Sequence, residues 1–196
     1  MEKNNKVKEI RTICHEVRAS PDEGKSLHFD GYAAIFDIWS EDLGGYREKI
    51  AQGAFKNALA RGDDVRVLFN HDPNYVLGRT SAGTARLSED EKGLRFEVDA
   101  PDAAWARDLR ESVRRGDINQ CSFAFYLKEE SWKQGTDGQL DERTIMDVEL
   151  VDVSIVTYPA YKATSASARS RETEKPAWRR EIARRRLKLR IVEPSV

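Results

Sequence analysis

The chain has 196 residues, of which 39% are hydrophobic and 34% charged, with a formal net charge of −1. That length suits one domain of ordinary size with room for tails, and no apolar run approaches the roughly 20 residues of a membrane helix, so a membrane partner is not expected. Two cysteines, Cys14 and Cys121, make no disulfide framework, and three scattered histidines without a Cys-x-x-Cys make no structural zinc site.

The first residues, Met1 to Lys6, are charged without a following apolar stretch, so the sequence predicts no secretory signal and a reducing, intracellular setting. Residues 1–26 read as a polar N-terminal extension ending in the turn-rich Ala19-Ser20-Pro21-Asp22-Glu23-Gly24-Lys25. From Leu27 to Phe36 the apolar residues alternate at first, which predicts a strand, with a bulge at Gly31. Phe55, Ala58 and Leu59 share one face of a short helix over 53–62, and Gly62 can supply its left-handed stop. Val65 to Phe69 is a strand, Asp72-Pro73-Asn74 a turn, and Val76 to Arg79 extended again. Residues 83–87 and 94–98 form a hairpin across Glu91-Lys92-Gly93. Trp105, Leu109 and Val113 recur every fourth residue in a helix over 101–115, closed by Gly116. Two more strands follow, 119–127 and 143–157, joined by the polar 134–139. This pattern predicts an α+β domain over about residues 27–162, an antiparallel sheet or barrel with helices outside.

Residues 163–196 read as a Ser/Ala-rich linker, at 165–170, and a basic C-terminal tail. Residues 162–196 hold eleven basic side chains against four acidic ones, a net of +7, leaving −8 on residues 1–161. Such a split suits a tail that engages an acidic partner or folds against an acidic surface. Clustered arginines (Arg180, Arg184, Arg185, Arg186) could attract phosphate, but they lack the interleaved aromatics of a single-strand platform, and nucleic acid is not the expected partner.

Three strand-like runs each carry a polar residue of the kind nucleophilic catalysis needs. His71 follows Val65 to Phe69, Ser122 lies within Ile118 to Tyr126, and Glu149 and Asp152 lie within Val148 to Val156. A serine hydroxyl is a poor nucleophile until a neutral imidazole takes its proton, and a third group orients that imidazole. Ser122 alternates with Gln120, Ala124 and Tyr126, whereas Cys121, Phe123 and Phe125 take the other face. The phenylalanine face is the natural core face, so Ser122 should point away from the deepest packing and Cys121 should be an inert buried thiol. A cysteine protease built on Cys121 is the rival. Asp152 shares a face with Ser154 and is the better third member; Glu149, on the face of Val153 and Ile155, stays second choice. Spacing alone leaves both carboxylates open.

Five blocks, in order and spread over roughly residues 27–162, give the set its specificity. They are Glu48-Lys49-Ile50-Ala51-Gln52-Gly53-Ala54-Phe55, Val67-Leu68-Phe69-Asn70-His71-Asp72, Leu77-Gly78-Arg79, Cys121-Ser122-Phe123-Ala124-Phe125, and Leu150 to Ala160. Together they resemble the prohead maturation proteases of tailed bacteriophages. The resemblance implies a serine endopeptidase with a closed antiparallel β-barrel flanked by helices, similar to the herpesvirus assemblins. It implies action in the host bacterial cytoplasm inside the assembling procapsid, on major capsid protein and scaffold segments. Self-cleavage and self-association inside the procapsid are further implications, and no metal or organic cofactor is implied. Carried over by position, the family histidine falls on His71 and the serine on Ser122. The acidic position, often Glu, is here the shorter Asp152, and Arg79 becomes a candidate for stabilising an oxyanion, a task usually left to backbone N–H groups. A non-catalytic scaffold or assembly factor of the same fold is the alternative from another class. Retention of His71, Ser122 and Asp152 together speaks against it.

Overall fold

The computed structural model describes residues 7–13, 17–19, 27–136 and 138–158. Cys14, His15, the linker and the basic tail lie outside the described residues. The long strand β10 (Asp141–Val156) organises the larger sheet, because it has partners along both edges. On one side β9 (Gln120–Lys133) runs antiparallel to it from Glu142↔Lys133 to Val156↔Gln120. On the other, β4 (Tyr46–Ile50) covers its first half and β5 (Arg66–Phe69) its second, and both run parallel to it. Between them in the chain comes α1 (Lys56–Arg61), whose stop is Gly62 in the left-handed region at φ 69°.

β6 (Asp72–Arg79) pairs antiparallel with β5 at one end of this sheet, and β1 (Lys8–Ile13) pairs antiparallel with β9 at the other. A second sheet, all antiparallel, has the order β2 (Arg18–Ala19), β3 (Leu27–Ile35), β8 (Gly93–Ala100), β7 (Ala85–Glu89). A 3-10 turn at Thr80–Ala82 links β6 to β7, and α2 (Ala104–Arg114) links β8 to β9. Among the described residues the fold is therefore mostly β with two short α-helices. It departs from the expected closed antiparallel barrel. The larger sheet is mixed, since the chain returns through α1 and makes β4 and β5 run with β10. Among the described residues no ladder joins the two sheets.

Both sheets feed one hydrophobic cluster. Phe29, Phe96 and Val98 enter it from the smaller sheet, and Phe123, Phe125, Val153 and Ile155 from the larger. Phe55, just before α1, stands edge-on to Phe123 at 5.4 Å between ring centres, and Phe123 stacks on Phe125 at 5.2 Å. Burying rings of this size stabilises by roughly 2–3 kcal/mol each. Leu109 and Val113 of α2 point into the same core as expected from their spacing, while Trp105 is only partly buried and meets Tyr75 at its edge. The bulge in β3 falls between Tyr32 and Ala34 rather than at Gly31. Gly78, in the Leu77-Gly78-Arg79 block, is a packing glycine. A Cβ there would sit 2.4 Å from Val98 Cγ2 and 3.0 Å from Thr84 O, so a larger residue would force Val98 or β6 to shift.

The N-terminal segment, read from sequence as a polar extension, supplies β1 to the larger sheet. Its place is fixed by charge, not by apolar pattern. Arg11 is buried, with NH2 2.9 Å from Glu48 Oε2 on β4, and Arg143 NH1 on β10 reaches the same oxygen at 3.1 Å. Glu9 accepts from Arg143 at 2.8 and 3.0 Å and from Arg11 at 2.5 Å, and Glu130 on β9 accepts from Arg143 Nε at 2.5 Å. Breaking such a buried network by removing one member leaves an uncompensated charge, which costs more than the network contributes over an apolar core.

Burial raises the pKa of Glu9, but the hydrogen bonds and charges of Arg143 and Arg11 outweigh it and hold the carboxyl at about 2, against an ordinary 4.5. The sign follows from linkage. Glu9 contributes stability that is full above about 4.5 and is lost as pH falls through about 2, on the order of 3 kcal/mol in total. Chemical denaturation between pH 5 and pH 2 should show the parent losing stability steeply. Glu9→Gln should start less stable at pH 6 and show a shallower acid loss. Equal acid slopes would place the sensitivity elsewhere.

Candidate functional site

His71 sits in the tight turn between β5 and β6. Phe69 pairs with Asp72 across a two-residue loop, and its two residues, Asn70 and His71, have φ of 55° and 57°. Two successive positive φ values are the signature of a type I′ turn, whose twist matches that of the flanking strands. Asn favours this conformation and His tolerates it better than most side chains. The turn thus begins two residues earlier than the Asp72-Pro73-Asn74 read from sequence, and Pro73 falls in an edge strand, where a missing N–H does no harm.

The turn is tied down to β10. Asn70 N–H donates to Ile155 O at 2.9 Å, and the Asn70 side chain accepts from Thr157 N–H at 2.9 Å. His71 N–H donates to Ser154 Oγ at 3.2 Å. These bonds hold a conformation that costs a side-chain-bearing residue roughly 1–2 kcal/mol, and they aim the imidazole at β9 and β10.

There it meets the other two residues. His71 Nε2 is 2.7 Å from Ser122 Oγ, and His71 Nδ1 is hydrogen-bonded to Asp152 Oδ1. The strands make this possible through register. On β10, Ser154 lies opposite Ser122 of β9 on one side and opposite Leu68 of β5 on the other, so the β5–β6 turn overhangs both. The structure brings together His71, Ser122 and Asp152. Chemically the arrangement can move a proton from the serine oxygen to Nε2 while the carboxylate holds Nδ1–H.

Ser122 departs from the sequence reading in one respect: it is 0% exposed, not turned away from packing. Its Oγ donates to Arg11 O at 2.9 Å and accepts from Thr12 Oγ1 at 3.2 Å, so β1 closes over it. One hydroxyl hydrogen serves either Arg11 O or His71 Nε2 at a given moment. The side chain of His71 is 15% exposed and that of Asp152 5%. Lys8 Nζ of β1 lies 3.8 Å from Asp152 Oδ2.

The remaining candidates lie apart. Glu149 pairs with Lys128 Nζ at 2.7 Å on the surface. A register shift between Leu150 and Asp152 breaks the alternation assumed from sequence: Val148 and Leu150 point into the core before it, Val153 and Ile155 after it. Glu149 therefore does not share the core face with Val153. Arg79 binds Asp64, which is held well below the usual carboxylate range mainly by that hydrogen bond, and its contacts give an oxyanion role no support. Cys121 is wholly buried on the core face, and burial alone pushes its thiol far up, so the thiolate a cysteine nucleophile requires is disfavoured. Sequence reasoning missed Asn70, Thr157 and the role of Ser154. An Asn before a histidine, at the junction of two strand-like runs, was the available signal for the turn.

Comparison with known proteins adds identity to this geometry. No curated protein sequence matches the chain. Among solved structures, the bacteriophage T4 capsid assembly protease matches at a TM-score of 0.41 with 13% identity, over 76% of this chain and 98% of that one. The sequence model of the family described as Caudovirus prohead serine protease matches residues 15–177, a span that contains His71, Ser122 and Asp152, and the chain belongs to that family.

Proposed function

We propose that this protein is a serine endopeptidase of phage procapsid maturation in which Ser122 is the nucleophile, His71 the general base and Asp152 the group that orients it. One observation carries the reading: a single imidazole contacts the serine oxygen through Nε2, at 2.7 Å, and a buried carboxylate through Nδ1. Asp152 keeps the proton on Nδ1, which leaves Nε2 free to accept. As Ser122 Oγ attacks the scissile carbonyl, its proton passes to Nε2, and the imidazolium formed is stabilised by Asp152. His71 then returns the proton to the departing amine, and water completes the hydrolysis of the acyl-enzyme by the same route. The substrates are major capsid protein and scaffold polypeptides, and the site of action is the interior of the assembling procapsid in the bacterial cytoplasm. The expected folded unit is residues 27–162 joined by β1, with the basic tail after it as an appendage toward acidic scaffold.

The cover over Ser122 bears on how substrate enters. His71 keeps 15% of its side chain exposed whereas Ser122 is wholly covered, so β1 or the Asn70–His71 turn must shift to admit the scissile carbonyl. Co-expression of the full chain with the cognate major capsid protein, followed by mass spectrometry, tests the reading. Discrete capsid-protein fragments should appear with the parent chain. Intact capsid protein at full expression of a folded enzyme would overturn it.

A further inference from the structure

Ser154 is fully buried, 0% exposed, and its hydroxyl contacts both His71 and Asp152. Its Oγ accepts from His71 N–H at 3.2 Å, lies 3.1 Å from His71 Nδ1, and donates to Asp152 Oδ1 at 3.1 Å. A hydroxyl has one hydrogen and two lone pairs. With the proton given to Asp152, both lone pairs face N–H groups of His71, one of the backbone and one of the ring, the ring N–H being shared with Asp152 Oδ1. That uses the whole hydrogen-bonding capacity of the side chain within the site. Serine hydroxyls can bond to nearby backbone; this one bonds instead to two other residues, one of them 83 positions away in the chain.

We infer that Ser154 is a positioning residue of the catalytic centre, which fixes the His71 backbone in its left-handed turn, holds the Nδ1–H tautomer and shares the Asp152 carboxylate. The inference rests on the serine-protease reading above and deepens it. Three consequences follow for the reaction. The backbone bond helps keep the imidazole within 2.7 Å of Ser122, and a misplacement of about 1 Å at such a distance can cost a hundredfold in rate. The oxygen at Nδ1 favours a proton there and so leaves Nε2 as the acceptor. The O–H donated to Asp152 draws negative charge from the oxygen that faces the ring, which tempers how strongly the carboxylate holds the imidazolium.

Among the described residues, few charged groups face this centre. Asp152 comes from β10 and Lys8 from β1, 3.8 Å from Asp152. Asp72 follows His71 on β6, its Oδ1 accepting from Asn74 N–H at 2.8 Å. The Arg11 guanidinium turns to Glu48 and Glu9. Replacing Ser154 adds or removes no charged group here, so a shift in the protonation of His71 reports the lost hydroxyl and its bond to Asp152.

The test uses the full chain and a fluorophosphonate, which loses fluoride as Ser122 Oγ bonds phosphorus and its proton passes to His71. In Ser154→Ala the labelling rate at neutral pH should fall ten- to a hundredfold. The acid limb of the rate should move to higher pH by about half a unit, because Asp152 regains its full charge toward the ring. NMR of the imidazole should show the same move without any reaction. Thermal unfolding gives the folded fraction, and Ser154→Cys, which keeps the volume with only a weak donor, takes the same measurements if the alanine variant does not fold. An unchanged limb and an unchanged ring titration, or a rate that falls only with the folded fraction, would make Ser154 structural and overturn the inference. Failure of the parent to label at Ser122 would instead strike the serine-protease reading, and the NMR comparison would still decide the role of Ser154.

Discussion

Ser122→Ala should remove capsid-protein cleavage, with a fall in kcat of about a millionfold, and leave the protein folded. A loss of that size is what deletion of a nucleophile produces when no other group can take its place, the remainder coming from binding and electrostatics alone. Retention of the fold follows from the environment of the side chain. Only one oxygen is lost, Ala124 already occupies the next position on the same face of β9, and the backbone ladder to β1 and β10 is untouched. Arg11 O and Thr12 Oγ1 each lose a partner, a cost of about 1–3 kcal/mol. Cys121→Ser is the informative companion. Cys121 faces the phenylalanine core with its thiol pushed far up by burial, so this variant should keep most of its activity and lose some stability, because a hydroxyl replaces sulfur in an apolar site. Fragment analysis and thermal melts on the two purified variants check both halves. An active Ser122→Ala beside a dead Cys121→Ser would transfer the nucleophile to the cysteine.

The parts of the fold legible in the sequence are those set by local pattern. The α2 stripe Leu109 and Val113, the β7–β8 hairpin and the strand character of β9 and β10 follow from periodicity, and each is present. The parts that were not legible depend on partners distant in sequence. β1 hides because its key residue is an arginine, buried only by virtue of Glu48 and Glu9. The mixed sheet hides because pairing direction is decided by where the chain returns through α1, not by the strand sequences. Alternation groups Asp152 with Ser154 and sets Ser122 off the phenylalanine face, yet it missed the burial of Ser122 under β1, and Glu149 was misplaced by a single extra residue in β10. A period-two argument carries across a strand only until the first bulge, and then every assignment beyond it reverses.

That bulge makes the two carboxylates a sharp test of the site. Asp152→Asn should lower kcat by about ten-thousandfold, whereas Glu149→Gln should change it by less than about threefold. Asn in place of Asp152 offers an amide where Nδ1 requires an acceptor with full charge; its carbonyl accepts more weakly, and its NH2 can instead donate to Nδ1. The second arrangement forces the proton onto Nε2, which then cannot accept from Ser122. The isosteric change keeps the burial of the site, so the loss reports tautomer and charge, not packing. It also leaves Lys8 without the nearby carboxylate 3.8 Å away, which raises the positive charge beside the ring and further disfavours the imidazolium. Glu149 has no such reach: it pairs with Lys128 at 2.7 Å, with a third of its side chain exposed, and a surface pair of this kind is worth about 0–1 kcal/mol. Single-turnover acylation by each purified variant, measured alongside the parent at neutral pH, ranks them directly. A larger loss in Glu149→Gln than in Asp152→Asn would move the orienting role to Glu149 and would require β10 to shed its bulge in the active protein.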